Sequence, residues 1–230
     1  MKMYKKVMAA ALAGVMTVSM SATAFAADDD GYILKATNED SKSSDNDLVI
    51  AIEGSVSSMD PANIPDTNAI SATRGVYETL VSFDENQELT GKLAESWEVS
   101  DDSLTYTFKL RQGVKFQDGT DFNAAAVKAN YDRVVNKDNN LRQRRTFIVT
   151  NEDGSETPRV DSIETPDDYT LVIKLTQAWA PFINRLTQFC IISPAALEEY
   201  GNDIMNHPCG TGLVSYTHLR AHETRHDLVC

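Results

Sequence analysis

Alternation of apolar and polar residues marks the clearest elements of this 230-residue chain. Apolar side chains occupy every second position from Leu104 to Leu110 and again from Tyr169 to Leu175. A period of two residues places one face of a strand in a core and the other face in water. Both segments are therefore predicted to be β-strands. The turn residues Asp101–Ser103 predict that the first strand pairs with Ser96–Val99 as a hairpin.

Helical spacing behind a capping residue predicts three helices. The first has an apolar face that extends to Leu80, and the second runs to about Val135 with Arg133 pointing outward. The third has Pro194 at its first position and ends at Gly201. Their predicted caps are Asn68, Asn123 and Ser193. With a buried strand at Leu48–Ile52, the order of elements predicts a mixed α/β (α+β) body without internal repeats.

Residues 1–26 carry the pattern of a secretory signal peptide. Three lysines precede an apolar run, Val7–Val18, and Ala24–Ala26 supplies the small residues of a cleavage site. The run is shorter than the about 20 residues that span a bilayer. Export to the periplasm or the outer face of the cell envelope is therefore predicted, with residues 27–47 as a polar, disordered leader.

The last 17 residues raise the alternative of a zinc metallopeptidase. His222, Glu223 and His226 form H-E-x-x-H, in which two imidazoles one helical turn apart can hold zinc beside a general-base carboxylate. The apolar residues around them, however, follow no helical phase. Codon by codon, residues 214–230 also resemble the translation of a transposase-end sequencing adapter. This segment is therefore predicted to be non-native, and the peptidase remains the alternative.

Composition narrows the classes of function. A net charge of −13 argues against a nucleic-acid surface, which needs clustered Lys and Arg. Outside the tail, His207 is the only histidine, and Ser193 lacks a G-x-S-x-G context. The body is therefore predicted not to be an enzyme and to hold no metal or cofactor. Cys190 and Cys209 are too few for a disulfide framework, and whether they pair stays open.

A series of segments between Leu48 and Gly212 is similar to the extracellular solute-binding proteins of peptide-type ABC importers, family 5. The matching segments are Tyr77–Val81, Leu93–Asp102, Leu104–Phe116, Asp118–Thr120, Phe122–Arg133, Ile192–Leu197 and Gly210–Gly212. Within that family, Phe116–Asn130 most resembles the glutathione-importer branch. Members of the family are about twice as long as the matching body.

The resemblance implies a periplasmic-binding-protein-like fold of two lobes that close over a ligand by a hinge motion. Residues 48–77 would begin lobe I, residues 78–207 would form the family's extra α+β domain, and residues 208–213 would return to lobe I. The implied protein is a monomer that captures a peptide, such as glutathione, and delivers it to the permease subunits. Without the opposing lobe, this chain is expected to bind ligand feebly or not at all.

Two groups of residues are expected to contact the ligand. By their position in the family, the loop residues after the first strand are Pro65, Asp66, Thr67 and Asn68; the alternative is a plain loop with a helix cap at Asn68. Arg142 and Arg145, with Arg144 between them, are expected to meet a carboxylate through fork-shaped contacts. The alternative for the arginines is a solvated surface.

Overall fold

The computed structural model describes residues 56–64 and 66–214 of the chain. The helices are α1 (Thr67–Thr73), α2 (Ala124–Val135), α3 (Arg144–Phe147), α4 (Phe182–Arg185) and α5 (Pro194–Tyr200). The strands are β1 (Val81–Phe83), β2 (Leu89–Gly91), β3 (Ala94–Val99), β4 (Thr105–Leu110), β5 (Ile148–Thr150), β6 (Glu156–Pro158), β7 (Val160–Asp167) and β8 (Thr170–Leu175). The signal peptide, the leader, the strand predicted at 48–52 and residues 215–230 lie outside the described residues.

One antiparallel sheet of four strands, in the order β3-β4-β8-β7, forms the centre of the fold. Phe108 of β4 lies opposite Trp97 of β3 on one side and opposite Leu171 of β8 on the other. The turn Asp101–Ser103 joins β3 to β4, as predicted. The predicted alternation is confirmed by the buried side chains Tyr106, Phe108, Leu110, Leu171, Ile173 and Leu175.

Helix α2 begins and ends where the sequence predicts. The Oδ1 atom of Asn123 accepts the amide hydrogen of Ala126 at 2.9 Å, which satisfies one of the free N–H groups of the first turn. The prediction that Arg133 points outward is wrong, because its side chain is only 11% exposed and is paired with Asp60. Asn130, one turn earlier, is also buried. The face of α2 that packs against the fold therefore includes polar residues beside the apolar ones.

Helix α5 is tied to α2 through the segment that precedes it. Ser193 caps α5, Pro194 is its first residue and Gly201 ends it, as predicted. The side-chain amide of Asn130 donates to the carbonyl of Ile192 at 2.7 Å and accepts its N–H at 3.0 Å. These bonds satisfy a buried polar side chain and fix the entry of α5 against α2.

Three parts of the described chain differ from the prediction. Helix α1 ends at Thr73, so Val76 and Leu80 are buried without being helical. The sequence also predicts a short strand at Val114–Phe116, but only a single bridge between Lys115 and Asp121 forms there. The hairpin β5–β6 and the strand β7 were not expected. Among the described residues, no helix is long and apolar enough to cross a membrane.

Candidate functional site

The loop before α1 is folded tightly around a short 3-10 helix, Pro61–Asn63. Asp60 caps this helix, with its Oδ1 atom 3.0 Å from the amide nitrogen of Ala62. The amide of Asp60 in turn donates to the hydroxyl of Ser58 at 3.1 Å. Met59, Asp60 and Ala62 are buried, so this part of the loop packs into the fold rather than lying on its surface.

Asp66 closes the loop and starts α1. Its Oδ1 atom accepts the amide hydrogen of Ala69 at 2.8 Å, and its Oδ2 atom accepts the hydroxyl of Ser57 at 2.5 Å. These two hydrogen bonds, Ser57's first, lower the pKa of Asp66 because they favour the carboxylate. The prediction that Asn68 caps this helix is therefore wrong, because Asp66 is the N-cap residue and Asn68 lies within the first turn.

The other expected loop residues lie in the first turn of α1. Thr67 is exposed and Asn68 is partly buried as the first and second residues of the helix. Pro65 lies outside the described residues. Thr67 therefore presents a hydroxyl to solvent, while the carboxylate of Asp66 is already engaged within the loop.

The three arginines have different environments. Arg144 forms a fork-shaped ion pair with Glu156, with both N–O distances 2.8 Å, and its Nε also donates to the carbonyl of Val135. The hydrogen bonds from Arg144 lower the pKa of Glu156. Arg142 and Arg145 are exposed, and no acidic side chain in the described ranges forms an ion pair with either. The Nε atom of Arg145 donates to the carbonyl of Arg142 at 3.3 Å, so the terminal N–H groups of Arg145 and the guanidinium of Arg142 face solvent.

One backbone hydrogen bond links the segment of the three arginines to the loop before α1. The amide of Gln143, between Arg142 and Arg144, donates to the carbonyl of Ala62 at 3.0 Å. The side chain of Gln143 donates to the carbonyl of Gln188 at 2.7 Å. The start of α3 is thus bonded to the turn that leads directly into the loop of Asp66.

A second arrangement, which the sequence did not indicate, is centred on Gln117. Residues 75–76 lie antiparallel to residues 212–214, with Gly212 N–H bonded to Val76 C=O at 2.8 Å. The Gln117 side chain donates to the carbonyls of Gly212 and Val214 at 2.9 and 2.7 Å, and accepts the Gly210 amide hydrogen at 3.2 Å. The same amide nitrogen lies 3.4 Å from the carbonyl oxygen of Val76, so the side chain of Gln117 binds both segments that cross here. Val214 is part of this crossing.

The two glycines at this crossing are needed because the facing backbone leaves no room for a side chain. A Cβ atom at Gly210 would lie 2.2 Å from the carbonyl oxygen of Val76, and one at Gly212 would lie 2.4 Å from that of Gly75. Real Cβ atoms do not approach a backbone oxygen this closely. The Gly-x-Gly motif at 210–212 therefore serves close backbone approach, not phosphate binding.

Both cysteines of the body are free thiols. Burial raises the pKa of Cys190 to about 12, and it also raises the pKa of Cys209. A thiol with a raised pKa is a poor nucleophile and metal ligand at neutral pH because its thiolate is scarce.

The two chemical alternatives raised by the sequence concern a metal site and the hydroxyl of Ser193. Within residues 56–64 and 66–214, no cluster of three His, Cys, Asp or Glu side chains could hold a metal ion. Ser193 is fully buried, and its hydroxyl donates to Asp118 and caps α5. The H-E-x-x-H motif, His222 to His226, lies outside the described residues, and no finding supports a metallopeptidase.

Several known proteins are similar to this chain in sequence and in fold. Glutathione-binding protein GsiB of Shigella dysenteriae is 39% identical over 201 residues, which cover 86% of this chain and 34% of the relative. GsiB of Salmonella typhimurium is 43% identical over 168 residues, or 72% of this chain and 31% of the relative. Helicobacter pylori DppA, solved in complex with the peptide STSA, has a TM-score of 0.55 and 32% identity, over 68% of this chain and 33% of that one.

These matches confirm the predicted mixed α/β class and the type of fold. The chain spans about a third of the length of the curated relatives it matches. The family model for the middle region of the bacterial extracellular solute-binding proteins, family 5, matches residues 88–217, more than half of the chain. The chain therefore belongs to the bacterial extracellular solute-binding proteins of family 5.

Proposed function

We propose that the chain is part of the solute-binding component of an ABC importer, which captures a peptide-like solute outside the membrane and delivers it to the permease. The observation that carries this proposal is the 39% identity to a glutathione-binding protein across 86% of the chain. The peptide in the related DppA structure also favours a peptide-like ligand. The proposal includes export, a monomeric state and the absence of catalytic activity.

The proposed ligand surface consists of the α1 loop and the start of α3. Its residues are Pro65, Asp66, Thr67, Asn68, Arg142 and Arg145. The two exposed guanidinium groups suit the carboxylates of a peptide or of glutathione, because their planar N–H pairs match a carboxylate's two oxygens. In a chain with a net charge of −13, two nearby arginines that form no ion pair within the described residues also give an anion a preferred place to bind.

The proposed organisation places residues 48–77 and 208–213 in one lobe and residues 78–207 in an inserted domain. The crossing at Gln117 supports this division, since the backbone enters the inserted part beside the place where it leaves. Neighbouring entry and exit points are typical of inserted domains.

A titration of the 15N-labelled chain with reduced glutathione, followed by amide NMR shifts, tests the ligand surface. We expect shifts concentrated in residues 66–69 and 141–146, with an affinity in the millimolar range, because the chain offers only part of a cleft wall. An Arg142→Gln/Arg145→Gln variant should weaken this binding at least about tenfold, the loss expected for charged hydrogen bonds.

The matched control removes two positive charges elsewhere, with Lys109→Gln/Lys128→Gln at exposed or partly exposed positions. This control should bind glutathione as the parent does. The proposed surface would be contradicted if no amide shifted at the highest glutathione concentration, or if the shifts lay away from both segments. Equal weakening in both double variants would show that only net charge matters.

A further inference from the structure

A buried ion pair joins the α1 loop to the middle of the fold. The Nη2 and Nη1 atoms of Arg133 lie 2.6 and 3.2 Å from the Oδ2 and Oδ1 atoms of Asp60. The two side chains are only 11% and 7% exposed. The pair connects positions 73 residues apart in sequence, and its fork geometry fixes the carboxylate in orientation as well as in distance.

The carboxylate of Asp60 has a second task in the loop. The Oδ1 atom that accepts from Arg133 also accepts the amide hydrogen of Ala62 at 3.0 Å, which holds the 3-10 turn Pro61–Asn63. The carbonyl of Ala62 is in turn bonded to the amide of Gln143. Arg133, Asp60, Ala62 and Gln143 therefore form one continuous path from α2, through the loop, to the start of α3.

The arginine end of this path is itself held in place. Arg133 lies in the last turn of α2, the helix of 12 residues whose apolar face is buried in the core. The side-chain amide of Asn139 donates to the carbonyl of Arg133 at 2.8 Å, which ties down the end of the helix. In the described part of the loop, residues 60–64 and 66, the short 3-10 turn is the only regular element.

A buried ion pair contributes little net stability when the cost of removing both charges from water is counted. Its better-supported effect is on geometry, because misplacing either partner leaves a buried charge without a partner. We propose that Asp60 and Arg133 are positioning residues, which set the place of the α1 loop and its residues Asp66–Asn68 relative to Arg142 and Arg145. This inference rests on the proposed ligand surface, to which neither residue of the pair is assigned.

Hydrogen exchange followed amide by amide in the 230-residue chain tests the positioning role without any ligand. In Arg133→Gln, the amides of Ala62, Ala69 and Gln143 should exchange at least about tenfold faster, since each depends on the anchored loop. Amides in the centre of β4 and β8 should keep the parent's rates. Arg133→Lys retains the charge but not the fork, and it should give an intermediate acceleration confined to the same three amides.

The matched control is Lys128→Gln, which removes the exposed Lys128–Asp132 pair one turn earlier on the same helix. It should leave all three loop amides unchanged. Equal acceleration in the loop and in β4 and β8 would overturn the proposal, because it would show a role in global stability only. Unchanged loop amides in both Arg133 variants would overturn it as well.

A second measurement separates this inference from the proposed function. In the glutathione titration, Arg133→Lys should weaken the shifts of residues 66–69 and 141–146 together, although Arg133 is outside the proposed surface. If the parent chain shows no glutathione shifts, the proposed ligand surface fails for this chain and the exchange rates alone decide the positioning role. If Arg133→Lys accelerates loop exchange but binds glutathione as the parent does, the pair does not position the ligand surface.

Discussion

At the scale of single residues, Phe108 carries the clearest energetic consequence. Its ring is completely buried in β4, between the neighbouring strands β3 and β8, and it belongs to the core cluster of the described residues. Its position on the buried face follows directly from the alternation of residues in that strand. A large side chain enclosed in this way leaves a cavity when it is shortened.

We expect Phe108→Ala to lower the free energy of unfolding by about 3–5 kcal/mol, from lost burial and the cavity left behind. Urea unfolding measures the difference, with Lys109→Ala, an exposed neighbour on the opposite face of β4, as the control. The control should change stability by less than about 0.5 kcal/mol. An unchanged midpoint for Phe108→Ala would show that the buried face of β4 is assigned wrongly.

At the scale of elements, the fold depends on contacts between short segments without regular structure. The turn Phe116–Thr120 makes two such contacts, because Gln117 clamps the crossing and Asp118 accepts a hydrogen bond from the hydroxyl of Ser193. Burial raises the pKa of Asp118, but the hydrogen bonds from Ser193 and Thr120 outweigh that effect and lower it. The same turn thus fixes both the crossing and the start of α5.

We expect Gly210→Ala to destabilise the chain by about 1–3 kcal/mol, because the new Cβ would lie 2.2 Å from the carbonyl oxygen of Val76. Gly75→Ala is the control in the same crossing, since its Cβ would meet only the side chain of Val214 at 3.2 Å. Urea unfolding of both variants gives the comparison. A Gly210→Ala chain as stable as the control would show that the crossing is looser than described.

At the scale of the whole molecule, hydrogen-bonded carboxylates govern how stability depends on pH. Among the described residues, hydrogen bonds lower the pKa of six carboxyl groups: Asp66, Asp102, Asp118, Asp153, Glu156 and Asp167. A lowered pKa in the folded state means that the unfolded chain binds protons more readily. The stability from these groups is present above their ordinary pKa and is lost as the pH falls through the lowered values.

The free energy of unfolding should therefore fall as the pH drops below about 4.5, the ordinary pKa of a glutamate such as Glu156. Glu156→Gln removes the ion pair with Arg144. The free energy of unfolding of this variant should therefore fall less steeply as the pH drops below about 4.5. Glu152 is an exposed acid in the same hairpin, and Glu152→Gln serves as the control. Its free energy of unfolding should fall with pH as steeply as the parent's. Equal slopes for all three chains would contradict the role of the Arg144–Glu156 pair.

Predictability from sequence followed the strength of the local signal. The strands β4 and β8 and the helices α2 and α5 were predicted because alternation, caps and terminal glycine act within a few residues. Strand β7 was missed because it is an edge strand, in which only Val160 is fully buried, so it shows little apolar alternation. The cap of α1 was misplaced because Asp66 and Asn68 both have capping side chains and only the loop geometry selects between them.

The candidate site was predictable only in part. The exposed arginines could be named from sequence, yet nothing local distinguishes Arg144, which binds Glu156, from Arg142 and Arg145. The Asp60–Pro61 dipeptide carries a capping signal that could have identified Asp60 as the start of a turn. No signal of that kind identifies Arg133 as its partner.

The amino-acid sequence alone determined the elements with strong periodicity, the family resemblance and the acidic charge, because each depends on residue types and short spacings. The tertiary structure decided which charges are paired, which glycines are needed for space and which segments cross at Gln117. These features depend on contacts between residues far apart in the sequence, such as Gly212 and Val76. Local preferences do not encode such contacts, because only the packed core brings their partners together.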